Sequence, residues 1–82
     1  MTRSEVEEIF NIFRVAYFKE FQTMAQVDID LLEDTWVEIF RKDEYRDLKK
    51  VVFKVIVNNR TVPTIAHIAF ELLALQWAKE EK

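Results

Sequence analysis

Eighty-two residues with a net charge of −3, no glycine, no cysteine and one proline make a single domain, residues 1–82, and exclude several kinds of function. Tight hairpins and phosphate-cradling loops need residues at φ > 0 that glycine supplies, and without cysteine there is neither a disulfide framework nor a zinc–thiolate site. A chain this short buries only about 60 % of the surface that its unfolded form exposes, yet 50 % of it is hydrophobic, with seven Phe, two Tyr and two Trp.

The composition therefore predicts an all-α protein, a compact bundle of four helices over about 4–21, 30–41, 43–58 and 64–80, with short connections. The surplus of apolar side chains implies that part of the surface meets another protein or a second copy of the chain. No apolar run approaches the roughly 20 residues of a membrane span, and residues 1–12 are too charged for a signal peptide. A cytoplasmic location is expected, and the missing cysteines suit it. Residues 1–40 carry nine acids against three bases, whereas 41–82 carry nine bases against six acids. The two halves, −6 and +3, offer surfaces of opposite sign, to each other or to different partners.

"SEVE" opens the first helix: Ser4 is the expected cap and Glu7 completes a capping box. Val6, Ile9, Phe10, Phe13, Ala16, Tyr17 and Phe21 then recur at helical spacing as its inward stripe. Ile12, Val15 and Phe18 lie off that stripe. In the second helix Asp30 is the expected cap, with Glu33 three residues on, and Leu32, Trp36, Ile39 and Phe40 face inward.

Asp43 is the expected cap of the third helix, whose inward stripe is Tyr45, Leu48, Val52, Val55 and Ile56. "VVFKVIV" within it is β-branched enough for a strand, but it continues a 3.6-residue pattern begun at Tyr45 and nothing else could pair with it. Arg46, Lys50 and Lys54, at i, i+4 and i+8, form a second stripe on another face.

Asn58 and Asn59 suit the end of that helix, because Asn tolerates the left-handed conformation. Pro63 forces Val62 out of the α region, so the chain turns there, and Thr64 caps the last helix. Ile65, Ile68, Ala69, Leu72 and Leu75 make one stripe of this helix; Ala66, Phe70, Leu73, Ala74 and Trp77 make another beside it. His67, Glu71 and Lys82 mark a narrow polar edge. A helix apolar over so wide an arc is either central in the domain or partly an interface.

Catalysis finds little material here. The only serine, Ser4, is explained by capping, so a nucleophilic triad is excluded. His67 and Glu71, at i and i+4, read as a solvated helix pair. Asp28, Asp30, Glu33 and Asp34 resemble calcium ligands, but Leu32 stands where a ligand is needed and the obligatory glycine is missing. No catalytic, cofactor or metal site is expected.

Two kinds of binding surface remain. Ile12, Val15, Phe18, Phe70, Leu73 and Trp77 are the candidates for contact with a partner protein. Arg46, Lys50 and Lys54 are the candidates for contact with phosphates, although Asp43–Arg46 and Asp47–Lys50 stand at helical pairing distance and predict a self-paired, solvated face. A helix-turn-helix reading fails, because residues 65–80 are apolar where base readers are polar and "NNRTVPT" exceeds the usual turn.

The order Tyr17…Phe21, Trp36, "DEYRDLKKVV" and "VPTIAHI" resembles the N-terminal domain of the phage replicative-helicase loader and inhibitor proteins of Gram-positive bacteria. There an aromatic-rich first helix precedes a Trp-containing second, a D-x-Y third helix follows, and Pro-Thr-Ile opens the last. The resemblance implies a non-enzymatic accessory protein of phage DNA replication in the bacterial cytoplasm. Such a protein binds the ring-shaped helicase, holds it inactive and helps deliver it to the origin through an initiator. His67 stands where the family more often has an acid. The family's helicase contact is attributed to a flexible C-terminal tail, whereas this sequence stops almost at the end of its fourth helix. The alternative function is a small helical nucleic-acid-binding or homo-oligomeric regulatory protein.

Overall fold

The computed structural model describes residues 1–80, so Lys82 of the expected polar edge lies outside the described residues. They form five helices and no strand: α1 (Arg3–Ala16), α2 (Phe18–Gln22), α3 (Gln26–Phe40), α4 (Tyr45–Asn58) and α5 (Ile65–Glu80). α1 packs against α3 and α4, and α5 packs on α4. The four long helices are those expected; the first is broken into two.

The break falls at Tyr17 (φ −116°, ψ 38°). Its hydroxyl donates to the carbonyl of Asn59 at 2.9 Å, and its ring packs 5.1 Å from that of Phe13. Stopping α1 there lets α2 fold Phe21 back, edge-on, against Phe10 and Phe13, each at 6.0 Å. The centre of the core is Trp36, whose ring meets Phe10 at 5.3 Å, Phe13 at 5.0 Å and Phe40 at 5.3 Å. Such aromatic pairs add about 0.5–1.5 kcal/mol each beyond the area they bury.

Three expected caps are corrected. α1 is capped by Thr2, not Ser4: Thr2 Oγ1 accepts from the Glu5 amide at 3.2 Å, and Glu5 Oε1 accepts from the Thr2 amide at 2.9 Å. Both Thr2–Glu5 and Ser4–Glu7 have the capping-box spacing. The earlier one adds helical residues and leaves Glu7 to pair with Arg3 at 2.8 Å. α3 begins at Gln26 behind Ala25, which offers no side-chain cap. Asp30 is therefore inside the helix, where it accepts from Gln26 Nε2 at 2.8 Å. α4 begins behind Glu44, also without a side-chain bond, and Asp43 is turned to Gln76 of α5, whose Nε2 donates to it at 2.9 Å.

The earlier start of α3 adds Ile29 to the core, while Ile39, expected inward, is exposed. The stripe Ile29, Leu32, Trp36 and Phe40 leaves Ile39 about 100° round the helix from Phe40. On α4, Leu48, Val52 and Val55 are buried as expected, and Val51 joins them. "VVFKVIV" is helical throughout. No residue among those described has positive φ. Asn59 is extended at φ −132°, and the two asparagines end α4 through their side chains. Asn58 Nδ2 donates to the Lys54 carbonyl at 2.9 Å, and Asn59 Nδ2 to that of Val55 at 2.8 Å. After Pro63, Thr64 Oγ1 accepts from the His67 amide at 3.1 Å at the start of α5.

Candidate partner-binding surface

α5 flanks the bundle. Ile68 and Leu72 are buried against the core, with Ile65, Ala69 and Leu75 partly buried beside them. The opposite stripe of Ala66, Phe70, Leu73, Ala74 and Trp77 is exposed. Of the partner-contact candidates at the other end of the sequence, Val15 and Phe18 are exposed and Ile12 is partly buried. Val15 and Phe18 line a cleft of about 310 Å³ with Asn11, Arg14, Phe21 and Gln22. The α5 residues lie in a different place, beside a groove of about 270 Å³ between α4 and α5, floored by Val51, Ala74, Leu75 and Ala78 and edged by Lys50, Lys54 and Glu71. Five of the six candidates thus fall on two surfaces, and Ile12 lines neither.

Besides Ile39, sequence reasoning missed four further exposed apolar side chains. Phe53 and Val57 stand on the outer face of α4, and Val27 and Leu31 on α3. Phe53 and Val57 fall at i+7 and i+11 from Arg46, which is the signal that marks them as outer-face residues.

The basic stripe is not self-paired as the local spacing predicts. Asp47, buried on α4, accepts from Lys79 of α5, and Asp43 accepts from Gln76. Both acids are drawn toward α5, away from Arg46 and Lys50. Lys54 pairs across the helices with Glu71 at 3.1 Å, so Glu71 does not serve His67, which is exposed. Among the described residues, Arg46 and Lys50 have no ion-pair partner.

Other polar groups serve the packing. Lys49 donates to the Tyr45 hydroxyl at 3.1 Å and lies 5.2 Å from its ring centre. The hydrogen bond to Tyr45 holds the Lys49 ammonium above the usual lysine pKa. Tyr45 in turn donates to Glu8 of α1. Burial raises the Tyr17 phenol. Burial first, and the neighbouring Glu7 carboxylate second, raise the Glu33 carboxyl. Among the described residues no His, Asp and Glu side chains cluster as metal ligands would.

These features define a small helical bundle with several apolar side chains turned to solvent, those of α5 beside cations that no other described residue pairs. Residues 1–69 match the family model for the N-terminal domain of a phage helicase loader/inhibitor. The chain belongs to that family, which is regulatory and non-catalytic. No curated protein and no solved structure matches the chain. The match ends at Ala69, in the second turn of α5, so Phe70, Leu73 and Trp77 lie beyond it.

Proposed function

We propose that this domain is a phage or prophage DNA-replication accessory protein, acting in the bacterial cytoplasm without enzymatic activity of its own. It binds a replicative helicase or its initiator partner and regulates the helicase by loading or inhibiting it. Membership of the loader/inhibitor family carries this reading, since that family is helicase-associated. The exposed side chains of Val15, Phe18, Phe70, Leu73 and Trp77 support it, because aromatic anchors with apolar neighbours are what protein interfaces bury at their centres.

The test is retention of the replicative helicase of the phage or its host on the immobilised domain, combined with helicase ATPase rates at rising domain concentration. Saturable retention with a changed ATPase rate is expected. If neither helicase nor initiator is retained and the ATPase rate does not change, the proposal is refuted.

A further inference from the structure

We propose that the groove between α4 and α5 docks an amphipathic helix with an acidic flank, supplied by a partner protein. The inference rests on the reading that the domain works by binding another protein, and it names the chemistry of the segment bound.

Three properties of the groove point to a helix. Its floor is Val51, Ala74, Leu75 and Ala78, and small residues such as Ala74 and Ala78 allow another backbone to approach closely. Phe70 and Trp77, four before and three after Ala74, rise along the α5 bank on the same face. They are 67 % and 58 % exposed, which for rings of 150–250 Å² leaves on the order of 250 Å² in water. With Leu73 and Ala74 the patch reaches the few-hundred-Å² scale at which surface patches are often functional. An apolar helix face laid in such a groove is a recurring mode of recognition.

The opposite bank sets the sign of the partner. Lys50 and Lys54 edge the groove, and Arg46 stands one turn before Lys50 on the same stripe. The acids that would neutralise Arg46 and Lys50 locally are turned to α5, Asp47 to Lys79 and Asp43 to Gln76. Two free cations beside an apolar trough call for carboxylates on one flank of the incoming helix.

Two other occupants fit less well. A second copy paired groove to groove, as a two-fold dimer requires, would set Arg46 and Lys50 against their own counterparts, and the patch falls well short of the roughly 800 Å² per partner of a stable interface. A nucleic acid would match Arg46 and Lys50 and could stack on Phe70 and Trp77, but two unpaired cations on a chain of net charge −3 make a poor track for a phosphate backbone, and the groove floor of Val51, Ala74, Leu75 and Ala78 is apolar.

Trp77 supplies the readout, since Trp36 is buried and insensitive to a surface ligand. The probes are a designed peptide of about 18 residues, with Leu and Ala at helical spacing, Glu on one flank and no Trp or Tyr, its twin with Lys for Glu, and oligo(dT) of about 20 nucleotides. The Glu peptide is expected to shift Trp77 emission to the blue and to saturate, and the Lys twin to bind at least about tenfold more weakly. Lys50→Glu weakens the Glu peptide by about fivefold and Phe70→Ala by about tenfold or more. Leu31→Ala, on the far exposed face of α3, leaves it unchanged. Lys50, on the edge of the groove, and Phe70, beside it, are both exposed, so thermal melts of these variants should coincide with the parent.

Equal binding of the two peptides overturns the proposal. So does full affinity in both groove variants, or binding of oligo(dT) in place of the peptide with steep salt dependence. Helicase retention separates this inference from the reading beneath it. Peptide binding without helicase or initiator retention refutes only the helicase reading. Retention that survives both groove variants, with no peptide binding, refutes only the groove.

Discussion

Replacing Lys79 by methionine removes the cation that answers the buried Asp47 carboxylate and thereby tests how α5 is held. The Asp47 side chain is 7 % exposed and that of Lys79 52 %. Truncating one partner of a fully buried pair costs about 3–5 kcal/mol, whereas an exposed pair is worth about 0.2–1 kcal/mol. With the carboxylate inside and the ammonium half in water, the loss should be about 1–2 kcal/mol. Against a total of about 4–12 kcal/mol for a domain of this size, that lowers Tm by about 5–15 °C.

Asp47 also stands in the first turn of α4, where a carboxylate gains about 0.3–1 kcal/mol from the helix dipole. Asp47→Ala alone therefore mixes two effects. A double-mutant cycle of Asp47→Ala and Lys79→Met, read by urea denaturation, isolates the pair. A coupling of about 1 kcal/mol or more is expected, shrinking in about 1 M salt because half of the pair is open to screening. A coupling below about 0.3 kcal/mol would refute the argument and leave α5 held by its apolar contacts and its other polar ties, Gln76–Asp43 and Lys54–Glu71.

The capping of α1 is tested by comparing two alanines. Thr2→Ala should cost about 1 kcal/mol and Ser4→Ala less than about 0.5 kcal/mol in denaturant melts, and the reverse order would return the cap to Ser4. Glu33→Gln tests the burial of a carboxyl. Its raised folded pKa means that the protonated form is favoured in the fold, so the stabilisation is fully present below its unfolded value of 4.5 and is lost as pH rises through the folded one. The Gln variant should therefore melt higher than the parent at pH 7, with the gap narrowing as pH falls through the raised folded pKa toward 4.5. A gap that is constant from pH 7 to about 4 would sink this account.

What could be read from the sequence followed from local physics. Leu48, Val52 and Val55 are legible because their spacing places them on one side of a helix whatever else the chain does. The helical state of "VVFKVIV" is legible for the same reason, since the pattern runs through it without a change of period. Pro63 marks the turn before α5 through its own ring. The misread features each depend on something that local spacing does not carry. Thr2–Glu5 and Ser4–Glu7 satisfy one motif equally, and only the completed fold chooses between them. Ala25 precedes α3 with no side-chain bond to announce it. The break at Tyr17 is held by a carbonyl 42 residues away. For the surface, periodicity separated Phe70, Leu73 and Trp77 from the inward stripe, but whether a neighbour covered them was a question of where α5 docks.

The charge pairs show how far that docking reaches. Helical spacing assigns Asp43 to Arg46 and Asp47 to Lys50, which would neutralise both bases on the outer face of α4. Gln76 and Lys79 lie 33 and 32 residues away from the acids they hold, and α5 brings both of them alongside. The basic bank of the groove is thus a product of α5 as much as its apolar bank is. It follows that Lys79→Met should do more than loosen α5. With its cation gone, Asp47 can turn to Lys50, one helical turn on, and neutralise it. The variant should then bind the acidic peptide about two- to threefold more weakly at a temperature where it is fully folded, although Lys79 does not line the groove. Undiminished affinity in a folded Lys79→Met protein would show that Lys50 stays free without that tie, and that α5 shapes the groove without setting its charge.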